Sequence, residues 1–391
     1  MGGQEYVGKF KWPVTVQLEK GLEGAITNAT KIGYIDGEKG RLIYRGYDIV
    51  DLVKYSNFEE TAYLLILGEL PTKKQLSRFD KKLKKNREVP QAVINLLKSL
   101  PRTTHPMDSL RTGISLLGCL DKKAGEPGVE NAAEIGIKLI AKMATVAGAI
   151  ARMQEGEEPL TPDKSLGHAA NFLYLMTGKK PDKFFSKIMD VSLILHADHG
   201  MNPSTLTAMV ISSSLSDLYS SVVGGIGSLK GPLHGGANEK ALTNLLKLKN
   251  VSDAENYVKD CVVRKEKIMG FGHRVYKTYD PRAKILKQYA KKLLKAKRME
   301  KFYEITEEVE KEVIKIYGKK GIFPNVDFYS GIVYYAMGIK PSMFTPIFAV
   351  SRIVGWVARV LEYLPENRIF RPRAIYVGSL EKKYKPLQER K

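Results

Sequence analysis

Apolar residues recur every three to four positions along most of this chain, the spacing that gathers them on one face of an α-helix. The pattern turns helical at Asn57, where Phe58-Glu59-Glu60 opens a run through Ala62, Leu65 and Ile66 that stops at Gly68 and Pro71. An Asn before the first apolar residue, acids in the first turn and Gly-then-Pro at the end are the expected start and stop signals. Helical patterning covers most of 75–220, punctuated by Pro101, Pro106, Pro127, Pro159, Pro162 and Pro181. After Gly231 apolar positions fall at 241, 242, 245 and 248, at 254, 257, 258, 261 and 262, at 286, 289, 290, 293 and 294, and at 302, 305, 309, 313 and 316. These predict four amphipathic helices. A fifth is predicted from Pro324 to near Gly338, and an apolar sixth from Phe344 to Leu364. The exception is 31–44, where alternating residues around Gly37 and Gly40 predict a short β-hairpin. The expected fold class is all-α, with a small helical domain at 231–338 inserted in a larger one made of 1–230 and 339–391.

Composition narrows the class of protein. A chain of 391 residues can bury a sizeable core, and 43% hydrophobic with 27% charged residues excludes disordered and collagen-like chains. The apolar stretch Phe348 to Leu364 is broken by Arg352, Arg359 and Glu362, so no run offers the roughly 18 uncharged residues of a membrane span. The first residues lack a hydrophobic signal-peptide core. A cytoplasmic protein is expected, with no membrane partner. Cys119 and Cys261 have no metal-site or disulfide spacing, and both are expected to be buried. A chain rich in Lys and Glu and poor in Cys and His also suits a thermophile.

Net charge is +21, and residues 230–338 hold 23 Lys or Arg against 13 Asp or Glu. Such an excess calls for an anionic partner. Nucleic acid is the rival reading, but the basic residues of 281–317 are interleaved with Glu300, Glu304, Glu307, Glu308, Glu310 and Glu312. No nucleic-acid-binding motif accompanies them.

The densest chemistry lies in the same region. Gly270-Phe271-Gly272-His273-Arg274-Val275-Tyr276-Lys277 presents a histidine on a glycine-bent loop between cations, and Asp280-Pro281-Arg282 follows. Upstream is Leu233-His234-Gly235-Gly236-Ala237-Asn238-Glu239, and downstream Pro324-Asn325-Val326-Asp327. Two histidines and a carboxylate are a minimal set for moving protons at carbon. His234 precedes a predicted helix start at Ala237, whose dipole disfavours its protonation; the plain alternative is a histidine that caps a turn. Asp327 falls in a helix first turn, where the dipole favours the carboxylate and apolar neighbours oppose it. That balance suits a general base, although helix starts often carry an Asp for capping alone.

His196 and His199, three apart, are expected to share a helix face, but no third ligand at recognisable spacing supports a metal site. His105 and His168 are expected to be structural. Phosphate-loop, dinucleotide and serine-hydrolase motifs are absent. Arg282, Arg352, Arg371 and Arg373 supply the forked donors that bind carboxylates at two points.

These motifs together resemble the citrate synthase family. The resemblance runs nearly end to end, from Tyr34-Ile35-Asp36-Gly37 and Tyr44-Arg45-Gly46-Tyr47 through Leu67-Gly68-Glu69-Leu70-Pro71-Thr72 to Arg371-Pro372-Arg373. It implies a two-domain helical homodimer that condenses acetyl-CoA with oxaloacetate and water, using no metal and no permanently bound cofactor. By its motifs, His234 would hydrogen-bond the thioester carbonyl, Asp327 would remove a methyl proton, and His273 would polarise the ketone. His199, Arg282, Arg352 and Arg371 would hold the oxaloacetate carboxylates, Arg371 reaching in from the other subunit. Arg264, Lys265, Lys267, Lys277, Lys319 and Lys320 flank the loops that would contact coenzyme A. The chain is similar also to 2-methylcitrate synthase, which uses propionyl-CoA, and no residue separates the two readings.

Overall fold

The computed structural model describes residues 4–7, 15–18, 20–379 and 381–390. They form two compact units, one from Met1–Thr30 with Ile369–Lys391 and the other from Lys31–Arg368. In the first, the strands Gln4–Val7 and Thr15–Leu18 pair antiparallel with Gln4 opposite Leu18. The sequence pattern did not predict this pair.

All sixteen α-helices of the described residues lie in the second unit, so the all-α expectation holds. Their ends follow the sequence signals. The helix Phe58–Leu67 begins where the Asn57 side chain accepts the Glu60 N–H at 2.9 Å, and it ends at Gly68, whose φ of 96° only glycine adopts readily. Thr72 and Gln75 form a reciprocal cap on Lys73–Lys85.

The core is organised around Phe344–Tyr363, which is buried along nearly its whole length. It packs against Phe58–Leu67, Val129–Gln154, Lys183–His196, Pro203–Ser213 and Leu218–Leu229. A helix enclosed on all sides must be apolar all round. By length and composition the segment Pro341–Glu366 could cross a membrane, but its apolar window is buried wholly within the protein. Its arginines stay charged in the core because each is engaged: Arg359 grips Asp198 through Nε–Oδ1 (2.8 Å) and Nη2–Oδ2 (2.7 Å). Gly355 lets Ala197 approach, since a Cβ there would sit 2.4 Å from the Ala197 carbonyl oxygen.

The five helices predicted after Gly231 are Ala237–Leu245, Val251–Val263, Pro281–Ala296, Glu300–Tyr317 and Val326–Ala336. They pack largely on one another, with Val326–Ala336 against both Ala237–Leu245 and Pro281–Ala296, and Val251–Val263 against Glu300–Tyr317. The buried carboxylate of Glu310 ties three of these segments together. It accepts from Tyr279 Oη at 2.7 Å, from Tyr329 Oη and from Lys287 Nζ at 2.8 Å.

The predicted hairpin is Gly33–Asp36 paired with Arg41–Tyr44, extended by the two-residue strand Tyr47–Asp48. Its turn abuts the 275–279 loop: Lys277 N–H donates to the Gly37 carbonyl at 3.0 Å, and a Cβ on Gly37 would lie 2.3 Å from the Val275 carbonyl oxygen. The cysteine expectation was half right. Cys261 is buried, but Cys119 is exposed near the end of Pro106–Leu120.

His168 is structural, as expected, and completely enclosed. It stacks on Phe58 at 4.8 Å, and both ring nitrogens are buried without a hydrogen-bond partner. Burial, helped by the Arg87 charge, pushes its pKa from 6.5 down to about 3. The unfolded chain therefore takes up a proton that the folded protein resists. Stability from this group is complete above about pH 6.5 and falls as pH drops towards 3, by at most about 1.4 kcal/mol per pH unit. His168→Leu should flatten the acid loss of stability by up to that slope, read from denaturant midpoints across this range. An unchanged slope would show that the folded protein protonates His168 freely.

Candidate active site

Two loops bring the candidate groups together. Gly270 (φ 87°) and Gly272 (φ 79°) adopt left-handed backbone conformations, and a Cβ on Gly270 would strike Phe328 at 2.9 Å. The bend lays the loop against 323–325, with a β-bridge between Phe271 and Pro324. Gly272 N–H donates to the Phe323 carbonyl and Asn325 N–H to the Gly270 carbonyl, both at 2.9 Å. Asn325 Nδ2 adds a bond to the Gly272 carbonyl at 2.9 Å, while its Oδ1 accepts the Asp327 N–H at 3.0 Å and caps Val326–Ala336. One asparagine thus holds the His273 loop and starts the helix that carries Asp327.

His273 Nδ1 accepts backbone N–H bonds from Val275 (2.9 Å) and Tyr276 (3.2 Å). A ring nitrogen that accepts carries no proton, so in the neutral ring the N–H sits on Nε2. The ring lies 5.1 Å from His199 and 4.8 Å from Tyr276, and His199 Nε2 pairs with Tyr276 Oη at 3.2 Å. Arg282 is buried beside them with Nε and Nη2 on the Asp280 carboxylate at 3.0 and 2.7 Å.

On the core helix, Arg352 donates from Nε to the His196 carbonyl at 2.7 Å, while its buried Nη2 has no hydrogen-bond partner. Its guanidinium stands 4.7 Å from the Phe348 ring, which also packs on His196 (4.9 Å) and His234 (6.2 Å). His234 Nε2 pairs with Ser204 Oγ at 2.9 Å, and that oxygen also accepts from Trp356 Nε1 at 3.2 Å. Ser204, Phe348, Asn325 and Tyr276 escaped the sequence reading. Asn325 carried a local signal, as a helix-start residue in Pro324-Asn325-Val326-Asp327, and Tyr276 stood in the His273 loop without a role assigned to it.

Electrostatics follow from burial. His234 is pushed down to about 4 by burial and then by Arg352, and His273 to about 4 by burial and Arg282, with Asp280 opposing. His199 is held well below its usual value by burial, Arg282 and His273. All three are neutral at pH 7. For His234, desolvation rather than the helix dipole invoked from the sequence is the leading cause. Asp327 moves the other way, up to about 7, because burial outweighs the opposing charges of Arg282 and Arg352, and Asp280 adds to the rise. Its Oδ1 is buried and unpartnered. Burial also brings Arg352 down to about 10.

The structure corrects one expectation directly. The helix Lys183–His196 ends at His196, so His199 lies beyond it and the two do not share a helix face. His196 Nδ1 is taken by the Ser192 carbonyl at 2.8 Å.

Of the cations expected near coenzyme A, Arg264, Lys265, Lys267, Lys277, Lys319 and Lys320 are all exposed, and none forms an ion pair among the described residues. Arg264 and Lys267 line a cavity of about 720 Å³ with Lys240, Lys247, Leu233 and Tyr257. Arg371 and Arg373 are exposed and belong to the other compact unit.

Comparison with known proteins gives the arrangement its context. The family model "Citrate synthase, C-terminal domain" matches residues 21–373. The citrate synthase of Deinococcus radiodurans is 45% identical, over 95% of this chain and 99% of its own. The 2-methylcitrate synthase of Shewanella oneidensis is 41% identical, over 95% and 97%. Citrate synthase from the archaeon Thermoplasma acidophilum, solved as a ternary complex with carboxymethyl coenzyme A and oxaloacetate, superposes with a TM-score of 0.92 at 37% identity, over 96% of this chain and 100% of that one. A family model spanning most of the chain, and relatives matched from end to end, place this protein in the citrate synthase family.

Proposed function

We propose that this chain condenses acetyl-CoA with oxaloacetate and water to give citrate and coenzyme A, an acyl transfer in which Asp327 is the base. The observation that carries the reading is a buried, unpartnered carboxylate oxygen whose pKa is about 7, on a helix tied to the loop of a neutral Nε2–H histidine. Asp327 takes a proton from the acetyl methyl group, and the C–H electron pair moves into the enol. His234 stabilises the thioester oxygen as it gains charge, through an Nδ1–H that is present once Ser204 turns its hydroxyl proton from Asn202 Oδ1 to His234 Nε2. The enol carbon attacks the oxaloacetate ketone, whose oxygen gains charge against His273 Nε2–H and takes up a proton, balanced by the methyl proton that Asp327 releases as it resets. Water then cleaves the citryl thioester, releasing citrate and the free thiol. No step calls for a metal or a redox group.

His199, Arg282 and Arg352 suit the substrate carboxylates because their buried donors converge near His273 and Phe348. In a homodimer the set is completed by Arg371 of the partner subunit. Residues 231–338 act as a small domain, and its exposed cations Arg264, Lys265, Lys267, Lys277, Lys319 and Lys320 face the coenzyme phosphates. The setting is the cytoplasm. The match to a 2-methylcitrate synthase supports a second acyl substrate, propionyl-CoA.

Citrate or 2-methylcitrate release with the two thioesters in parallel tests the substrate. Acetyl-CoA should give the higher kcat/KM; the reverse order would make the second reading the right one. Asp327→Asn should lower turnover by roughly 10²- to 10⁴-fold while coenzyme affinity survives. Because the base must be ionised, wild-type turnover should rise with pH through about 7. Near-normal turnover of folded Asp327→Asn would remove Asp327 from the mechanism.

A shared arginine makes a separate prediction. If each site borrows Arg371, a heterodimer of Arg371→Ala and Asp327→Ala chains has one site with both defects and one with neither. Co-refolded mixtures of the two inactive variants should recover activity of up to about half of wild type per heterodimer. Heterodimers that form without activity would place Arg371 in the site of its own subunit.

A further inference from the structure

Asp280 does more than a helix cap requires. It is 1% exposed and precedes Pro281–Ala296, where one side-chain oxygen on the Arg282 N–H (2.9 Å) would suffice as a cap. Instead Oδ1 also accepts Arg282 Nε (3.0 Å), while Oδ2 accepts Arg282 Nη2 (2.7 Å) and the backbone N–H of Val326 (3.2 Å). Val326 is the first residue of the helix whose second residue is Asp327. A single buried carboxylate therefore joins two helix N-termini 46 residues apart in sequence and fixes the guanidinium between them.

We propose that Asp280 is a positioning residue for the proton transfer: it sets Asp327 and Arg282 relative to each other and cancels the guanidinium charge that Asp327 would otherwise face. The inference rests on the reading of Asp327 as the base. Two of Arg282's three nitrogens are spent on Asp280, so Nη1 is the one left to meet a substrate carboxylate, in an orientation that the two-point grip dictates. The charged and titratable groups acting on Asp327 are Arg282 and Asp280 at the start of Pro281–Ala296, Arg352 on the core helix and Tyr334 on its own helix. Two cations pull towards ionisation and Asp280 is the one anion that resists. Without its charge, Asp327 would ionise at lower pH and draw a methyl proton less strongly. His234 and His273, already near 4 through burial, would stay neutral in either case.

The test is the pH dependence of turnover, at saturating substrates, for wild type, Asp280→Asn and Asp280→Ser, the serine keeping a capping hydroxyl in case the asparagine variant fails to fold. Turnover should fall by about tenfold or more, and the acid-side midpoint should move down by about one pH unit or more, as expected when a neighbouring anion is lost. A folded variant whose activity drops equally at every pH, with the midpoint unmoved, would show that Asp280 only braces the fold. Asp327→Asn separates the two claims. If it is inactive while the Asp280 midpoint stays put, only the positioning role fails; if it is active, the base assignment itself fails.

Discussion

Asp327 Oδ1 lies in the protein with no group bonded to it, and Arg352 Nη2 and His196 Nε2 share that condition. A group enclosed in this way is costly to charge, and three such groups lie on residues around the candidate site. The rest of the architecture makes that cost tolerable. A helix as buried as Phe344–Tyr363, with five others packed against it, contributes the apolar burial that offsets it. The same desolvation sets the charge of these groups, holding His234, His273 and His199 neutral and raising the Asp327 carboxyl to about 7. Burial thus sets the charge state of the whole cluster.

Holding such groups in register falls to backbone hydrogen bonds rather than to the reactive side chains. Gly270 and Gly272 turn the His273 loop so that it can pair with 323–325, and Asn325 converts that pairing into the first turn of the Asp327 helix. Asp280 fastens the same turn to Pro281–Ala296, and Glu310 secures Tyr279 and Tyr329 from behind. His273, Arg282 and Asp327, spread over more than fifty residues of sequence, are thus carried by one short network.

The sequence made the helices and the motifs legible because both are local. Periodicity and caps marked Phe58–Leu67 and the five helices after Gly231, where each apolar stripe finds a neighbouring helix. Ser204 and Phe348 were invisible for the opposite reason. A serine 30 residues before His234 and a phenylalanine 114 after it become neighbours only through packing, and no local spacing announces that. The pairing of His196 with His199 failed because the helix stops at His196, a boundary the apolar pattern blurred. His234 was foreseen as neutral for a secondary reason. The dipole was readable from Ala237, whereas the burial that dominates depends on residues far away in sequence.

At the centre of the site a half-buried, uncharged histidine presents its N–H from Nε2. Nitrogen-15 NMR of the ring nitrogens of His273 reads this state directly, because a protonated nitrogen, a bare one and the imidazolium give distinct shifts. The structure predicts a neutral ring at pH 7 with the proton on Nε2 and a bare Nδ1 facing the Val275 and Tyr276 N–H groups. An imidazolium at pH 7, or a proton on Nδ1, would contradict it.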